Sequence, residues 1–312
     1  MDAKNIQIGN NLQEHIKPIL QGLPISVFHT EFRKDSYHFV SWHWHEAFQY
    51  CYVTEGIVDF DVPGKTYTIT EGNGIFINYK CLHQTRNHDD TPSSYLCIDV
   101  PPSFISYDTQ SAIFQKYLKP AMDHPVNIVL RFSRHQKSDK AILEQILKVR
   151  DLVRSEEELI EIDVRITVME MWKLTWQKMK KTLADKNSQR KSTDRLRGII
   201  SYIQKHYSEK ITLEDIAAYI SLSPNECSRY FKTMTGRQLF SYLNSYRINK
   251  SIDLIRDTDL SLAEITVAVG FCNQSYYTEC FRKEKGMTPK KYQSLCVRKA
   301  ENVLKNDIVS MY

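Results

Sequence analysis

The feature that most constrains this chain is that its C-terminal part repeats itself. Leu213, Ile216, Ile220, Leu222, Phe231 and Gly236 recur as Leu262, Ile265, Val269, Phe271, Phe281 and Gly286, at an offset that begins at 49 residues and ends at 50. A repeat at fixed spacing means that each copy must be the same supersecondary unit, with one residue added inside the second copy. Each copy reads as an apolar helix, a turn at "SLSPN" or "GFCNQ", a second helix ending in Phe-Lys or Phe-Arg, and a glycine stop. That order describes a helix-turn-helix twice over. Ser223 supplies an N-cap, Pro224 suits the first helical position, and Asn273 can cap the matching helix of the second copy.

The second helix of the second copy mixes uncharged side chains at its start with cations at its end: "NQSYYTECFRKEKGMTPKK". In a helix-turn-helix the start of that helix enters the major groove, where bases are read, and its far end lies near phosphates. Charge distribution points the same way. From Arg195 onward there are 18 Lys and Arg against 12 Asp and Glu, whereas residues 1–194 hold 24 against 25. The positive excess therefore lies in the helical part and suits a polyanion partner.

The stretch from "ITLEDIAAYISLSPNECSRYFK" to "DLSLAEITVAVGFCNQSYYTECFRKEKGMTPKKYQ" resembles the DNA-binding domain of AraC/XylS transcription regulators. The resemblance implies two helix-turn-helix units joined by a linker helix, here about Leu239 to Arg256, and double-stranded promoter DNA as partner. It implies base-facing positions at Asn225, Ser228 and Arg229 in the first copy and at Gln274, Ser275 and Thr278 in the second. Side-chain chemistry agrees, since Asn, Gln and Arg can bond bidentately to purines. Lys232, Arg237, Arg282 and Lys283 are expected on the DNA backbone, with Lys285, Lys290 and Lys291 as further cations. Tyr276 and Tyr277 read as helix packing or as hydroxyl contacts to phosphate. Glu279 departs from the family, which usually carries a basic residue there; it can pair with Lys283 four residues on, accept a hydrogen bond from a cytosine amino group, or leave the second unit a weak binder, and the ion pair is the reading expected.

Upstream the texture changes. Residues 25–100 alternate short β-rich runs ("ISVFHTEF", "EAFQYCYVTEG", "IVDFDVPGK", "SYLCIDV") with turn signals, which reads as an antiparallel barrel or sandwich. Two amphipathic helices follow between about 139 and 183, and "KKTLADKNSQRKSTD" reads as a polar linker. The expected organisation is α+β: a cupin-like β-barrel sensor over 1–138, a helical dimerisation segment over 139–183, a linker over 184–194, and an all-α double helix-turn-helix domain over 195–312.

The N-terminal part is similar to the cupin-like sensing domains attached to many members of the family. In metal cupins a His-x-His pair, a Glu four residues on and a later His hold one metal. His43, His45 and His83 fit, but Gln49 takes the carboxylate's place, so no metal or other cofactor is expected. Strand alternation turns His43, His45, Ala47, Gln49 and Cys51 one way and Trp42, Trp44, Phe48, Tyr50 and Tyr52 the other. With the aromatic face as core, the histidines would lie in water. The cupin resemblance instead turns them inward, where Phe28, His43, His45, Gln49 and His83 would line a pocket for a small polar effector such as a sugar.

What composition excludes is brief. No run of 18 apolar residues suggests a membrane span, and the first twenty residues lack a signal-peptide pattern, so a cytoplasmic protein is expected. Seven cysteines without a CxxC pair indicate neither a disulfide framework nor a thiolate zinc site. No Ser-His-Asp order, Walker loop or GxGxxG is present. The function expected is a sequence-specific transcription regulator, an activator by the resemblance, acting as a homodimer with RNA polymerase as partner and not as an enzyme. The alternatives are a regulator that senses no ligand and a cupin enzyme fused to a nucleic-acid module.

Overall fold

A computed structural model describes residues 12–14, 18, 22–33, 39–89, 91–123, 128–155, 158–183 and 190–295. The β-rich part provides β1 (Ser26–Phe32), β2 (Phe39–His43), β3 (Phe48–Glu55), β4 (Ile57–Val62), β5 (Lys65–Thr70), β6 (Gly74–Ile77), β7 (His83–Asn87), β8 (Ser93–Val100) and β9 (Val129–Phe132). They form two antiparallel sheets, ordered β1-β8-β3-β6-β9 and β2-β7-β4-β5, rather than one ladder closing into a barrel.

Both faces of the five-stranded sheet are covered. Its inner face meets the other sheet: Cys51, Ile75, Ile77, Tyr95 and Cys97 pack with Val58, Phe60 and Ile69. A short helix α1 (Pro102–Ile105) and a π-helical turn (Phe114–Leu118) leading into α2 (Lys119–Asp123) follow β8, and two longer helices, α3 (Lys137–Leu152) and α4 (Ile160–Leu183), come after β9. Helices α3 and α4 cover the outer face. Ile142, Leu143 and Ile146 of α3 and Val164, Val168, Met171 and Trp172 of α4 join Phe48, Tyr50 and Phe76 in one core. Burying a side chain of this size contributes about 1.5–3 kcal/mol, so the helical stripe is fixed by the sheet it covers. The Trp172 ring stacks on Phe48 at 4.3 Å between centroids, and the Tyr50 hydroxyl donates to Thr175 Oγ1 at 3.2 Å.

The remaining helices are α5 (Arg190–His206), α6 (Leu213–Tyr219), α7 (Pro224–Thr235), α8 (Leu239–Asp257), α9 (Leu262–Ala268) and α10 (Gln274–Lys285). Helix α5 starts inside the span read as linker, because Leu196, Ile199, Ile200 and Ile203 form a buried stripe that extends helical order toward the N-terminus; residues 184–189 lie outside the described ones. The chain divides into two compact units between Arg197 and Gly198.

In the second unit the repeat is met element for element. α6 and α9 each span seven residues, α7 and α10 each span twelve, and both second helices stop at a left-handed glycine, Gly236 and Gly286. The one-residue insertion falls in the second turn, where Phe271-Cys272-Asn273-Gln274 replaces Leu222-Ser223-Pro224. Each second helix is capped as its sequence requires: Ser223 Oγ accepts from the Glu226 amide, and Asn273 Oδ1 accepts from the Tyr276 amide at 2.8 Å.

The two turns differ at one matched position. Ser221 and Gly270 both adopt positive φ, 55° and 85°. A Cβ on Gly270 would lie 2.5 Å from the Tyr207 carbonyl oxygen, so the second turn requires glycine for space as well as for conformation. Gly270→Ala is therefore expected to destabilise the chain by about 1–3 kcal/mol or more, whereas Ser221→Gly should be neutral or stabilising by up to about 1 kcal/mol. Chemical denaturation of both variants checks this, and equal effects would contradict it.

Candidate nucleic-acid interface and histidine cluster

Helix α8 carries both helix-turn-helix units. Toward the first it presents Tyr242, whose ring meets Phe231 of α7 at 5.6 Å. Toward the second, Tyr277 of α10 donates its hydroxyl to Ser251 Oγ at 3.1 Å, and Asn244 Nδ2 donates to the Tyr276 hydroxyl at 2.8 Å. Arg247, almost fully buried, donates from Nε and Nη2 to the carbonyls of Tyr207 and Glu209 at 2.7 and 2.8 Å. Both tyrosines at the head of α10 thus have structural partners within the unit.

The side chains expected to read DNA stand on α7 and α10 with differing exposure. At the start of the second helices Asn225, Gln274 and Ser275 are exposed and Ser228 and Thr278 are half-buried. Arg229, Lys232, Arg282 and Lys283 are exposed further along the same helices, and Lys290 and Lys291 are exposed just beyond α10. The opposite faces are core, with Cys227, Phe231, Tyr277 and Phe281 at 0% exposure.

Three expectations change. Arg237 turns inward: its Nη2 donates to Ser245 Oγ at 2.7 Å and lies 4.0 Å from Glu284, while Ser245 also donates to Glu284. The result is a polar bridge from the end of α7 across α8 to α10. Lys285 is only 3% exposed, and burial pushes its ammonium down to about 7 against the opposing pull of Glu284, so it does not face phosphate. Glu279 stands on the exposed face, but among the described residues no ion pair joins it to Lys283.

In the first unit the structure brings four of the five expected pocket residues together. His43 ends β2, His83 starts β7 directly opposite it, and His45 lies two residues beyond β2. Ring centroids are 4.1 Å apart for His43 and His83, 5.1 Å for His45 and His83 and 5.9 Å for His43 and His45. Each ring donates its Nδ1–H to a backbone carbonyl two residues away: Ser41 at 2.8 Å, Ala47 at 3.2 Å and Cys81 at 2.9 Å. The tautomer is thereby fixed, and the Nε2 lone pairs are left for the interior. Gln49 Nε2 donates to His45 Nε2 at 3.0 Å and to Asp99 Oδ1 at 3.1 Å. Phe28 lies in the neighbouring inter-sheet core beside Cys97.

The histidines do not lie in water, because His43 and His83 stand on the four-stranded sheet where it meets the five-stranded one, whose Gln49 and Asp99 reach His45. Exposure is 2% at His43, 1% at His45 and 0% at His83. Desolvation holds all three rings neutral, with His43 down at about 3, His45 at about 4 and His83 well below its ordinary value. One ring nitrogen from each lies within 4.8 Å of the others, a space smaller than a sugar ring. The pocket expected for a sugar is therefore closed at this place. Two residues not anticipated from sequence reach it: Glu14 Oε2 is 3.4 Å from His43 Nε2, and Asp99 Oδ1 is 3.8 Å from His45 Nε2. Asp99 faces Gln49 through the β3–β8 register, and Glu14 arrives because its amide donates to the Trp44 carbonyl at 2.8 Å.

Two family models match the chain: an AraC-like ligand binding domain over residues 24–161 and a helix-turn-helix domain over residues 216–294. An HTH-type transcriptional regulator of Bacillus subtilis (strain 168), YdeC, itself uncharacterised, is 30% identical over 94% of this chain and 99% of its own length. The HTH-type transcriptional activator RhaS of Klebsiella pneumoniae (strain 342) is 23% identical over 80% of this chain and 85% of its own. Among solved structures, ToxT from Vibrio cholerae covers 86% of this chain and 97% of its own at 13% identity and a TM-score of 0.43.

The buried Lys285 makes stability depend on pH with a defined sign. Its folded value of about 7 lies below that of an unfolded lysine, so between pH 7 and about 10 the unfolded state binds more protons and stability rises with pH. The expected slope is at most about 1.4 kcal/mol per pH unit. Lys285→Met should flatten it between pH 7 and 9 in denaturant titrations of the full chain followed by helical circular dichroism; identical slopes would show that Lys285 does not titrate there.

Proposed function

The chain belongs to the AraC family of transcriptional regulators, and from that premise we propose that it is a cytoplasmic activator that reads an asymmetric promoter site and answers to a small polar effector. The observation that carries this reading is the pair of capped recognition helices, α7 and α10, on one strut, each with uncharged polar residues exposed at its start and cations at its end. In this proposal Asn225, Ser228, Arg229, Gln274, Ser275 and Thr278 face base edges, and Lys232, Arg282 and Lys283 face phosphates.

The N-terminal unit is taken as the sensor rather than as an enzyme. With the histidine cluster closed, a groove of about 620 Å³ lined by Thr68, Thr70, Asn73, Arg131 and Arg134 is the seat best suited to a sugar or similar metabolite, since it offers hydroxyl, amide and guanidinium groups to one polar molecule. A second copy of the chain is the proposed partner of α4, because Leu159, Ile162 and Ile166, at helical spacing, are 56–59% exposed on the face turned away from the sheet. Contact with RNA polymerase follows from activation. No helix among the described residues is long and apolar enough to cross a membrane.

Fluorescence anisotropy with labelled promoter DNA at a series of salt concentrations tests the reading. Lys232→Ala and Lys283→Ala should each weaken binding to every sequence and reduce the slope of log affinity against log salt by about 0.9. Gln274→Ala should lose about 1–3 kcal/mol of preference at one base pair. Lys285→Met should leave the salt slope unchanged, being buried. A salt-insensitive complex, or equal effects of Lys283 and Lys285, would contradict it.

A further inference from the structure

Three buried imidazoles that bring one ring nitrogen each to within 4.8 Å of the others call for an explanation that an effector pocket does not give. The Nδ1 hydrogen bonds leave each ring with an Nε2 lone pair. His83, fully buried, has no hydrogen-bond partner for its Nε2 among the described residues. The Glu14 carboxylate, 8% exposed, and the Asp99 carboxylate, 0% exposed, approach two of the same nitrogens. A cation held among imidazole lone pairs and carboxylate oxygens would gain from all of them at once, and the low dielectric of the interior strengthens that attraction.

We propose that His43, His45 and His83 bind one divalent first-row transition metal ion, with Glu14 as the carboxylate ligand that Gln49 does not supply. The donor set, three neutral imidazoles and one carboxylate, suits such an ion in a four-coordinate arrangement. Backbone carbonyls on the Nδ1 side orient each ring, as outer partners of metal-bound histidines commonly do. Ligand nitrogens around a tetrahedral ion at about 2.1 Å lie about 3.4 Å apart, so the ring nitrogens, now within 4.8 Å, close by about 1.4 Å at most. Gln49 releases His45 Nε2 on binding and keeps its bond to Asp99 Oδ1, which holds Asp99 as an outer acceptor. The consequence is mechanical: because Glu14 lies in a segment paired with Trp44, the ion would fasten residues 12–14 to the ends of β2 and β7.

The experiment uses the full chain, stripped with a chelator and titrated with Co²⁺ and Zn²⁺. One equivalent of Co²⁺ should bind and give visible d–d absorption of a nitrogen- and oxygen-ligated ion, Zn²⁺ should displace it, and elemental analysis should return one ion per chain. His83→Ala should abolish the absorption. Glu14→Gln, which lies outside both sheets and leaves their core intact, should weaken Co²⁺ binding by about tenfold or more. Circular dichroism confirms that each variant is folded. A folded chain that takes up no ion overturns the proposal, as does binding that survives His83→Ala, which would place the ion elsewhere; undiminished affinity in Glu14→Gln removes Glu14 from the ligand set. DNA binding enters none of these readouts, so their failure is separable from failure of the regulatory reading.

Discussion

The burial of α8 between two copies of one motif is the constraint on which the DNA-reading unit depends, because a single unbroken helix sets both the distance and the rotation between the two recognition helices. Ile248, Ile252 and Ile255 of α8 share a core with Ile265, Val269, Phe271, Tyr277 and Phe281 of the second copy. Tyr242 does the matching work against Phe231 of the first. The Arg237, Ser245 and Glu284 bridge adds polar contacts between the two copies.

Much of the second unit was legible because repetition averages out local noise. Six recurring positions, four at an offset of 49 and two at 50, set out the elements, the caps Ser223 and Asn273 marked where the reading helices begin, and the change of offset located an insertion that falls in the second turn, at Cys272-Asn273. The misreadings were of charged residues. Lys285 stands in a run of cations that hid its spacing, four residues beyond Phe281 on the core face, while Arg237 follows the left-handed Gly236, where helical periodicity no longer says which way a side chain turns.

The first unit was harder to read for a different physical reason. Strand alternation separates two faces but does not say which is wet, and here neither is, since α3 and α4 cover one and the second sheet covers the other. The histidines were correctly grouped, yet the closeness of their packing depends on the His43–His83 register, and their acidic neighbours arrive through the β3–β8 register and through a bridge between residues 13 and 44. Contacts that span tens of residues leave no local pattern. The metal proposed above would take its carboxylate from Glu14, which no local pattern places beside His43, and not from the position that Gln49 holds.

If α8 is a rigid strut, the two recognition helices must meet the DNA as one body, with no freedom to follow a change in spacing. The most direct measurement is the affinity of the full chain for its promoter site with 5 and with 10 base pairs inserted between the two contacted major-groove segments, which in this motif lie about 10 base pairs apart. Both insertions should reduce binding to the nonspecific level, since even a full helical turn lies beyond the reach of a fixed helix. Retention of specific binding with the 10-base-pair insertion would show that the two units move independently, and would contradict the role given to α8.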